Sequence, residues 1–268
     1  MTLSTTAQSL IDTHCHLDHA LFDSDFDAVL QRATDNIVSD IIIPAITVNN
    51  WQKVRSLSKQ YKNLHPAYGL HPMFMSQHCL HDLDLLEQWL QSETAIAVGE
   101  CGLDFFIFAQ QGDQQQAKQT QQAFFNAQLD LAQHYQLPVI IHSRKSLDLV
   151  LKEIRLRPDL HGVIHSFSGS LQQAHQLIDQ GFYLGFGGPI TYIRAKKLRY
   201  LVSSLPLDAL LLETDAPDQP DTTQYGQRNE PAFLITIAQT MAELRGISPQ
   251  EVARATTKNA HNLFKFEK

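Results

Sequence analysis

The sequence predicts a (β/α)8 barrel, and three observations lead there. Short apolar runs alternate with longer stretches of helical spacing, eight such units fit into 268 residues, and no linker-like shift in composition divides them. A doubly wound open sheet shows the same alternation, so counting leaves it as the alternative. One domain is expected over 1–268, with 1–8 as a short N-terminal tail. Hydrophobic residues make up 43% of the chain, enough for a full core, and charged residues only 18%, low for a disordered chain.

The first strand is expected at Leu10–His16, where Leu10-Ile11 leads into Asp12-Thr13-His14-Cys15-His16. Period-two geometry puts His14 and His16 on one face, about 7 Å apart along the backbone. Helical spacing follows in Phe26, Val29, Leu30 and Ala33. The second strand is placed at Asp40–Ile46, and the third at His65–Leu70, ending in Gly69-Leu70-His71-Pro72. The fourth, Ala95–Glu100, runs on into Cys101-Gly102-Leu103-Asp104. Gln110–Gln122 is glutamine-rich, lacks an apolar run, and reads as a polar loop entering the helix of Phe124, Phe125, Gln128, Leu129 and Ala132. The fifth strand, Pro138–His142, continues into Ser143-Arg144 and a helix with Leu147, Val150, Leu151 and Ile154. Val163–Ser166 is the sixth and carries His165. Phe182–Phe186 is the seventh, followed by Gly187-Gly188-Pro189. Ala209–Asp215 is the eighth, with Glu213-Thr214-Asp215 at its end.

In such a barrel the chemistry sits where strands end and loops begin. Histidines or acids stand at six of these endings. One His or acid there is ordinary, since it often just caps a strand. Six at one mouth form a constellation. Imidazole and carboxylate together hold divalent metals. His14, His16 and Asp215 would hold a first ion where strand eight closes on strand one, and His142 and His165 a second. Glu100, with two oxygens, would bridge them. Two ions about 3.5–4 Å apart can share one water, lower its pKa and polarise a phosphoryl or carbonyl oxygen. Asp215 and Glu100 are therefore the candidate catalytic residues, with Asp215 taking the proton. His71, Arg144, Asp104 and Asn229 are candidate substrate contacts. Each has a plainer alternative: a loop anchor for His71, a salt bridge for Arg144, a turn cap or ligand orienter for Asp104, a helix N-cap for Asn229. The glycines after strand seven either offer amides to phosphate or permit close packing. His19, His65, His78, His81, His134, His161, His175 and His261 are expected to be structural and solvent-facing.

The net charge of −7 excludes a general basic surface for nucleic acid, so an anionic substrate would depend on bound cations and a local patch. Arg144 leads that patch, with Lys196, Lys197 and Arg199 as weaker members. Three scattered cysteines without CxxC spacing suit free thiols in a reducing compartment. No run reaches the roughly 18 apolar residues of a membrane span, and Met1–Gln8 has no basic signal region. A cytoplasmic protein without membrane or obligate protein partner is expected.

Asp12-Thr13-His14-Cys15-His16-Leu17-Asp18, Gly69-Leu70-His71-Pro72, Gly99-Glu100-Cys101-Gly102-Leu103-Asp104, Ile141-His142-Ser143-Arg144, the His165 segment, Leu212-Glu213-Thr214-Asp215-Ala216-Pro217 and Arg228-Asn229-Glu230-Pro231 together resemble the TatD family of metal-dependent deoxyribonucleases. The likeness runs from Ile11 to Phe264. It implies a TIM-barrel hydrolase of DNA phosphodiesters with two divalent ions (Mg, Mn or Zn), held by His14, His16, Glu100, His142, His165 and Asp215. It also implies a further ion at Glu213 when substrate is present. Two stretches depart from the family's pattern: Ser166 stands where many relatives have cysteine, and Phe105-Phe106-Ile107-Phe108 replaces a tyrosine-rich, arginine-containing segment. An amidohydrolase-type esterase or lactonase, or another phosphoesterase on a small or tRNA-linked substrate, is the alternative activity.

Overall fold

The computed structural model describes residues 9–107 and 114–266. The expected tail at 1–8 and positions 110–113 of the expected polar loop lie outside the described residues. The strands are β1 (Leu10–Asp12), β2 (Val38–Pro44), β3 (Leu64–Tyr68), β4 (Ala97–Asp104), β5 (Val139–Arg144), β6 (Gly162–Ile164), β7 (Phe182–Phe186) and β8 (Leu210–Leu212). They form one sheet in sequence order, each parallel to the next. Backbone bonds close β8 onto the segment after β1: Thr13 N donates to Leu212 O at 3.1 Å, and Asp215 N to His14 O at 2.9 Å. The barrel is thus nearly closed, which removes the open-sheet alternative.

Alternation along the strands builds two cores. Ile11, Ile42, Ala67, Ala97, Ile140, Val163 and Leu211 point into the barrel and form one cluster. Their neighbours Leu10, Ile41, Ile43, Val139, Ile141, Ile164, Leu210 and Leu212 face outward and pack in the larger cluster with the helices. The helices are α1 (Phe26–Asp35), α2 (Val48–Gln60), α3 (His81–Ser92), α4 (Gln114–Tyr135), α5 (Leu147–Arg155), α6 (Leu171–Asp179), α7 (Lys196–Ser204), α8 (Leu234–Arg245) and α9 (Pro249–Phe264). α9 starts at a Ser248/Glu251 capping box with Pro249 in its first turn. Its Ala260, Leu263 and Phe264 join the inner cluster. Asn259 fastens it there by donating to Leu207 O at 2.9 Å and Leu210 O at 2.8 Å. No helix among the described residues is long and apolar enough to cross a membrane.

Several boundaries differ from expectation. β1 ends at Asp12, so His14 and His16 lie beyond it. Their segment is held by Cys15 N on Ile42 O at 3.1 Å and His16 N on Ala216 O at 2.8 Å, so neighbouring backbone, rather than a continuing ladder, fixes their direction. β4 runs four residues past Glu100. An irregularity in its register against β5, between Val98 and Cys101, lies at Gly99 and Glu100. Gln114–Gln122, expected as loop, is the start of α4. Asn229 caps no helix: α8 begins at Leu234, preceded by a short 3₁₀ turn at Pro231–Phe233.

Candidate metal centre

Glu100, 2% exposed, is the hub. Its Oε2 lies 3.2 Å from His14 Nε2 and 3.5 Å from His16 Nε2. Its Oε1 lies 2.9 Å from His71 Nε2, 3.2 Å from His142 Nδ1 and 3.0 Å from His165 Nε2. Asp215 Oδ1 faces the first pair, 3.5 Å from His14 Nε2 and 3.6 Å from His16 Nε2. His14 stacks on His165 with ring centroids 4.0 Å apart. All six expected ligands are therefore brought together. Three groups among the described residues have the ligand atoms to hold an ion: His14, His16 and Glu100; His14, His165 and Asp215; and His71, Glu100 and His142.

Local structure explains how each side chain arrives. Gly102 lets β4 lie against β5, since a Cβ there would meet His142 O at 2.0 Å. Asp215 adopts a left-handed backbone (φ 57°) just beyond β8, and Gln219 donates to its Oδ2. Asp104 is fully buried; its Oδ2 lies 3.2 Å from His142 Nε2, and its Oδ1 accepts from the amides of Phe106 at 2.9 Å and Ile107 at 3.4 Å. It orients the imidazole and caps the turn; His142 lines the cavity and Asp104, expected against substrate, does not.

Charge follows from this packing. Burial works to raise the Glu100 pKa, but His71, His165 and His14 outweigh it and hold the carboxyl well below its usual range. Burial likewise disfavours charge on His165, yet Glu100 and Glu213 lift it well above an ordinary histidine. Burial and the charge of His165 push His14 far down, against Glu100. His71 falls to about 4 through burial, with Glu100 opposing. Asp215 rises to about 6, again through burial, with His165 and His16 pulling the other way. The Glu100 carboxylate, buried and ringed by imidazoles, is a place that suits a cation. Five imidazoles and two carboxylates, buried around one point, fit divalent metal.

The remaining expectations divide. His71, expected against substrate, sits at the hub carboxylate, and His78 holds its loop by donating Nε2–H to His71 O at 3.1 Å. His78 is thus half-buried rather than solvent-facing. Arg144 lines the cavity and stacks on Phe106, 3.7 Å from the ring centroid, in place of a salt bridge. Asn229 is buried and does not reach the cavity; its Nδ2 donates to Thr214 O and Asp218 O, both at 2.8 Å, so it shapes the loop that presents Asp215. Glu213 accepts from Ser166 N at 2.5 Å and stands 3.6 Å behind His165 Nδ1. None of the three ion-holding groups includes it, and its place behind the ring is that of an orienter. Close packing requires glycine within and after β7: a Cβ on Gly185 would lie 2.1 Å from Glu213 Oε2, and one on Gly188 would lie 2.1 Å from Gln219 O.

Sequence reasoning missed two buried glutamines of α4. Gln121 accepts from Asp104 N at 2.9 Å and donates to Pro72 O at 2.9 Å. Gln128 accepts from Leu70 N at 2.7 Å and donates to Leu70 O at 3.1 Å. They lock the loops that carry Asp104 and His71. The signal was present in Gln128, which falls on the apolar stripe with Phe124 and Phe125.

The centre opens into a cavity of about 650 Å³ whose wall includes Ile46, Phe74, Phe167, Phe186 and Leu198. A family model described as TatD related DNase matches residues 11–265. The chain belongs to the TatD family. It is 43% identical over 258 residues to the metal-dependent hydrolase YjjV of Escherichia coli (strain K12), covering 95% of this chain and 97% of that one. The crystal structure of that TatD homolog superposes with a TM-score of 0.89 at 40% identity, over 96% of this chain and 98% of the other. YabD of Bacillus subtilis (strain 168), also a metal-dependent hydrolase, is 33% identical over 260 residues, 96% of this chain and 99% of its own. A TatD family hydrolase from Entamoeba histolytica matches with a TM-score of 0.80 at 25% identity, over 96% of this chain and 98% of that one. This TatD chain is a metal-dependent hydrolase whose His, Glu and Asp groups can bind metal.

Proposed function

We propose that this chain is a deoxyribonuclease that hydrolyses phosphodiesters in single strands or at ends, using two divalent ions. One observation carries the reading: each oxygen of Glu100 faces a different set of imidazoles. His14, His16, Asp215 and Glu100 Oε2 would hold one ion; His142, His165 and Glu100 Oε1 the other, with His71 at the same oxygen. Bound there, two ions would supply Lewis acidity and an activated water. The chain itself supplies the rest. Asp215, at the cavity wall beside the place of the first ion, is suited to accept a proton from the activated water. Arg144 presents a planar fork of donors to a substrate phosphate. The apolar wall suits the face of a sugar or base. A lactonase of the amidohydrolase type often bridges its ions with a carboxylated lysine, and the β4 position here is Glu100. Cys15 and Cys101 are buried free thiols, which suits a cytoplasmic setting.

The test is a metal-replete assay of purified protein on labelled single-stranded DNA beside a panel of lactones and esters, with elemental analysis. Cleavage of DNA, about two ions per chain, and fewer in Glu100→Ala are expected. Lactone turnover with DNA untouched would overturn the substrate, and unchanged occupancy in Glu100→Ala the bridge.

A further inference from the structure

Beside the metal cavity lies a second chamber of about 570 Å³, and the two share Ser143, Phe167 and Ser168 as wall. Lys145 and Lys197 line the chamber from different elements, Lys145 from the turn after β5 and Lys197 from the first turn of α7. Lys197 Nζ is fixed by donating to Ser168 O at 2.8 Å. Lys145 Nζ lies 4.9 Å from the centroid of Phe106, the ring on which Arg144 is stacked. The left-handed backbone at Lys145 (φ 55°) breaks strand alternation and lets consecutive side chains reach one ring. Phe106 thus holds two cations, Arg144, which lines the metal cavity, and Lys145, which lines the chamber. The acid on the chamber wall, Asp148, accepts from Gln173 at 2.7 Å. In a chain of net charge −7, this is a local cationic seam joined to the reaction site.

We infer that the chamber is a phosphate subsite. It receives the phosphate next to the scissile phosphodiester of an oligonucleotide, with Lys145 and Lys197 as its cations and Phe106 as a positioning residue that sets Arg144 and Lys145. The inference rests on the phosphodiesterase reading above and deepens it: the substrate carries at least two phosphates, and a small neutral ester leaves the chamber unfilled. Lysines act here as point charges on phosphate rather than as bidentate readers, so base sequence is not selected.

Trinucleotides that carry either a phosphate or an uncharged methylphosphonate beside the scissile bond, on its 5′ or 3′ side, test this. In the wild-type protein the methylphosphonate on one side should raise KM by roughly tenfold, the sum of two exposed charge contacts, with kcat held within about twofold. The Lys145→Gln/Lys197→Gln variant should show the higher KM for both compounds. Its turnover of bis(4-nitrophenyl) phosphate, which has a single phosphate, should match wild type. Wild-type discrimination retained by the double variant would overturn the inference, and so would an equal loss on the single-phosphate ester. Should the wild-type protein hydrolyse no phosphodiester, the function reading fails, and fluorescence anisotropy of the same labelled trinucleotides still reads the chamber. Lysine-dependent preference for the phosphate would support it, and equal affinities would overturn it.

Discussion

Asp104→Asn separates a substrate contact from a ligand orienter. Asp104 has two acceptor oxygens with different duties: Oδ1 takes the amides of Phe106 and Ile107, and Oδ2 faces His142 Nε2 at 3.2 Å. Asparagine has one acceptor and an NH₂ group of almost the same shape. Whichever way it turns, an N–H meets an N–H, either at the backbone turn or at His142. His142 presents Nδ1 to the cluster, so the proton on Nε2 is what Asp104 fixes. Burial lowers the pKa of His142, and the bonds to Asp104 and Glu100 more than reverse this; the variant gives up part of that gain. Loss of such an outer partner costs about 10–100-fold in metal affinity, which is about 1.4–2.7 kcal/mol. Competition with a chromophoric chelator should show metal held more weakly than in the wild type, with kcat falling and recovering at high metal. A raised KM with unchanged metal affinity would refute the reasoning and restore Asp104 to the substrate.

Two further outcomes follow from the loop clamps. Asn229→Ala strips donors from the buried carbonyl of Thr214 and the part-buried one of Asp218 and should lower Tm by about 2–10 °C, with kcat reduced through the Asp215 loop; a raised KM at unchanged Tm would mean substrate contact. Asp25 is held at about 2, first by its hydrogen bonds to Arg228 and then by Arg32, against burial. A depressed carboxyl contributes stability above its unfolded pKa and loses it as pH falls toward the folded value. The Tm difference between wild type and Asp25→Asn should therefore be constant above about pH 5 and shrink between about pH 4 and 2; a difference that persists at pH 2 would refute the pairing.

Most of the architecture was legible because it rests on periodicity and on polar residues at strand ends. The alternation of Leu10-Ile11, Ile41-Ile42-Ile43 and Leu210-Leu211-Leu212 is the two-core barrel itself. The cluster of histidines and carboxylates was legible because few structures need such residues after so many apolar runs. What stayed open was which of two roles a polar residue takes when its partner is distant in sequence. Asp104 and His142 are linked across β4 and β5, so spacing along the chain carries no record of their bond. Asn229 has the local look of an N-cap, yet its donors serve Thr214 and Asp218. The motif Arg228-Asn229-Glu230 proves to be a clamp: Arg228 forks onto Asp25, and Glu230 accepts Arg32 at 2.8 and 2.7 Å, tying the loop after β8 to that after β1. Gln121 was hidden by composition, since a glutamine-rich stretch reads as solvated until burial is known, whereas Gln128 stood on the apolar stripe and only its partner at Leu70 went unread.

Three of the clustered side chains come from beyond the first and last strands of the barrel, and this couples the centre to folding. His14 and His16 follow β1, Asp215 follows β8, and Asp12 joins the segments by accepting from Thr214 N at 2.9 Å and Thr214 Oγ1 at 2.6 Å. Burial raises Asp12 to about 8 against those bonds, so the seam is held by a polar group that an apolar residue would replace at lower desolvation cost. What the polar seam provides is direction. Asp215 N on His14 O fixes the registry between the two ligand segments, and Asn229 fixes the loop beyond. Until β8 docks, the ion-holding group of His14, His165 and Asp215 does not exist; afterwards, ions that bind only the closed barrel add RT ln(1 + [L]/Kd) to its stability, about 4 kcal/mol at a thousandfold excess over Kd. α9 plugs the opposite end with Ala260, Leu263 and Phe264, so the mouth, closed by the β8–β1 backbone bonds, is the end of the barrel that bound metal would stabilise further.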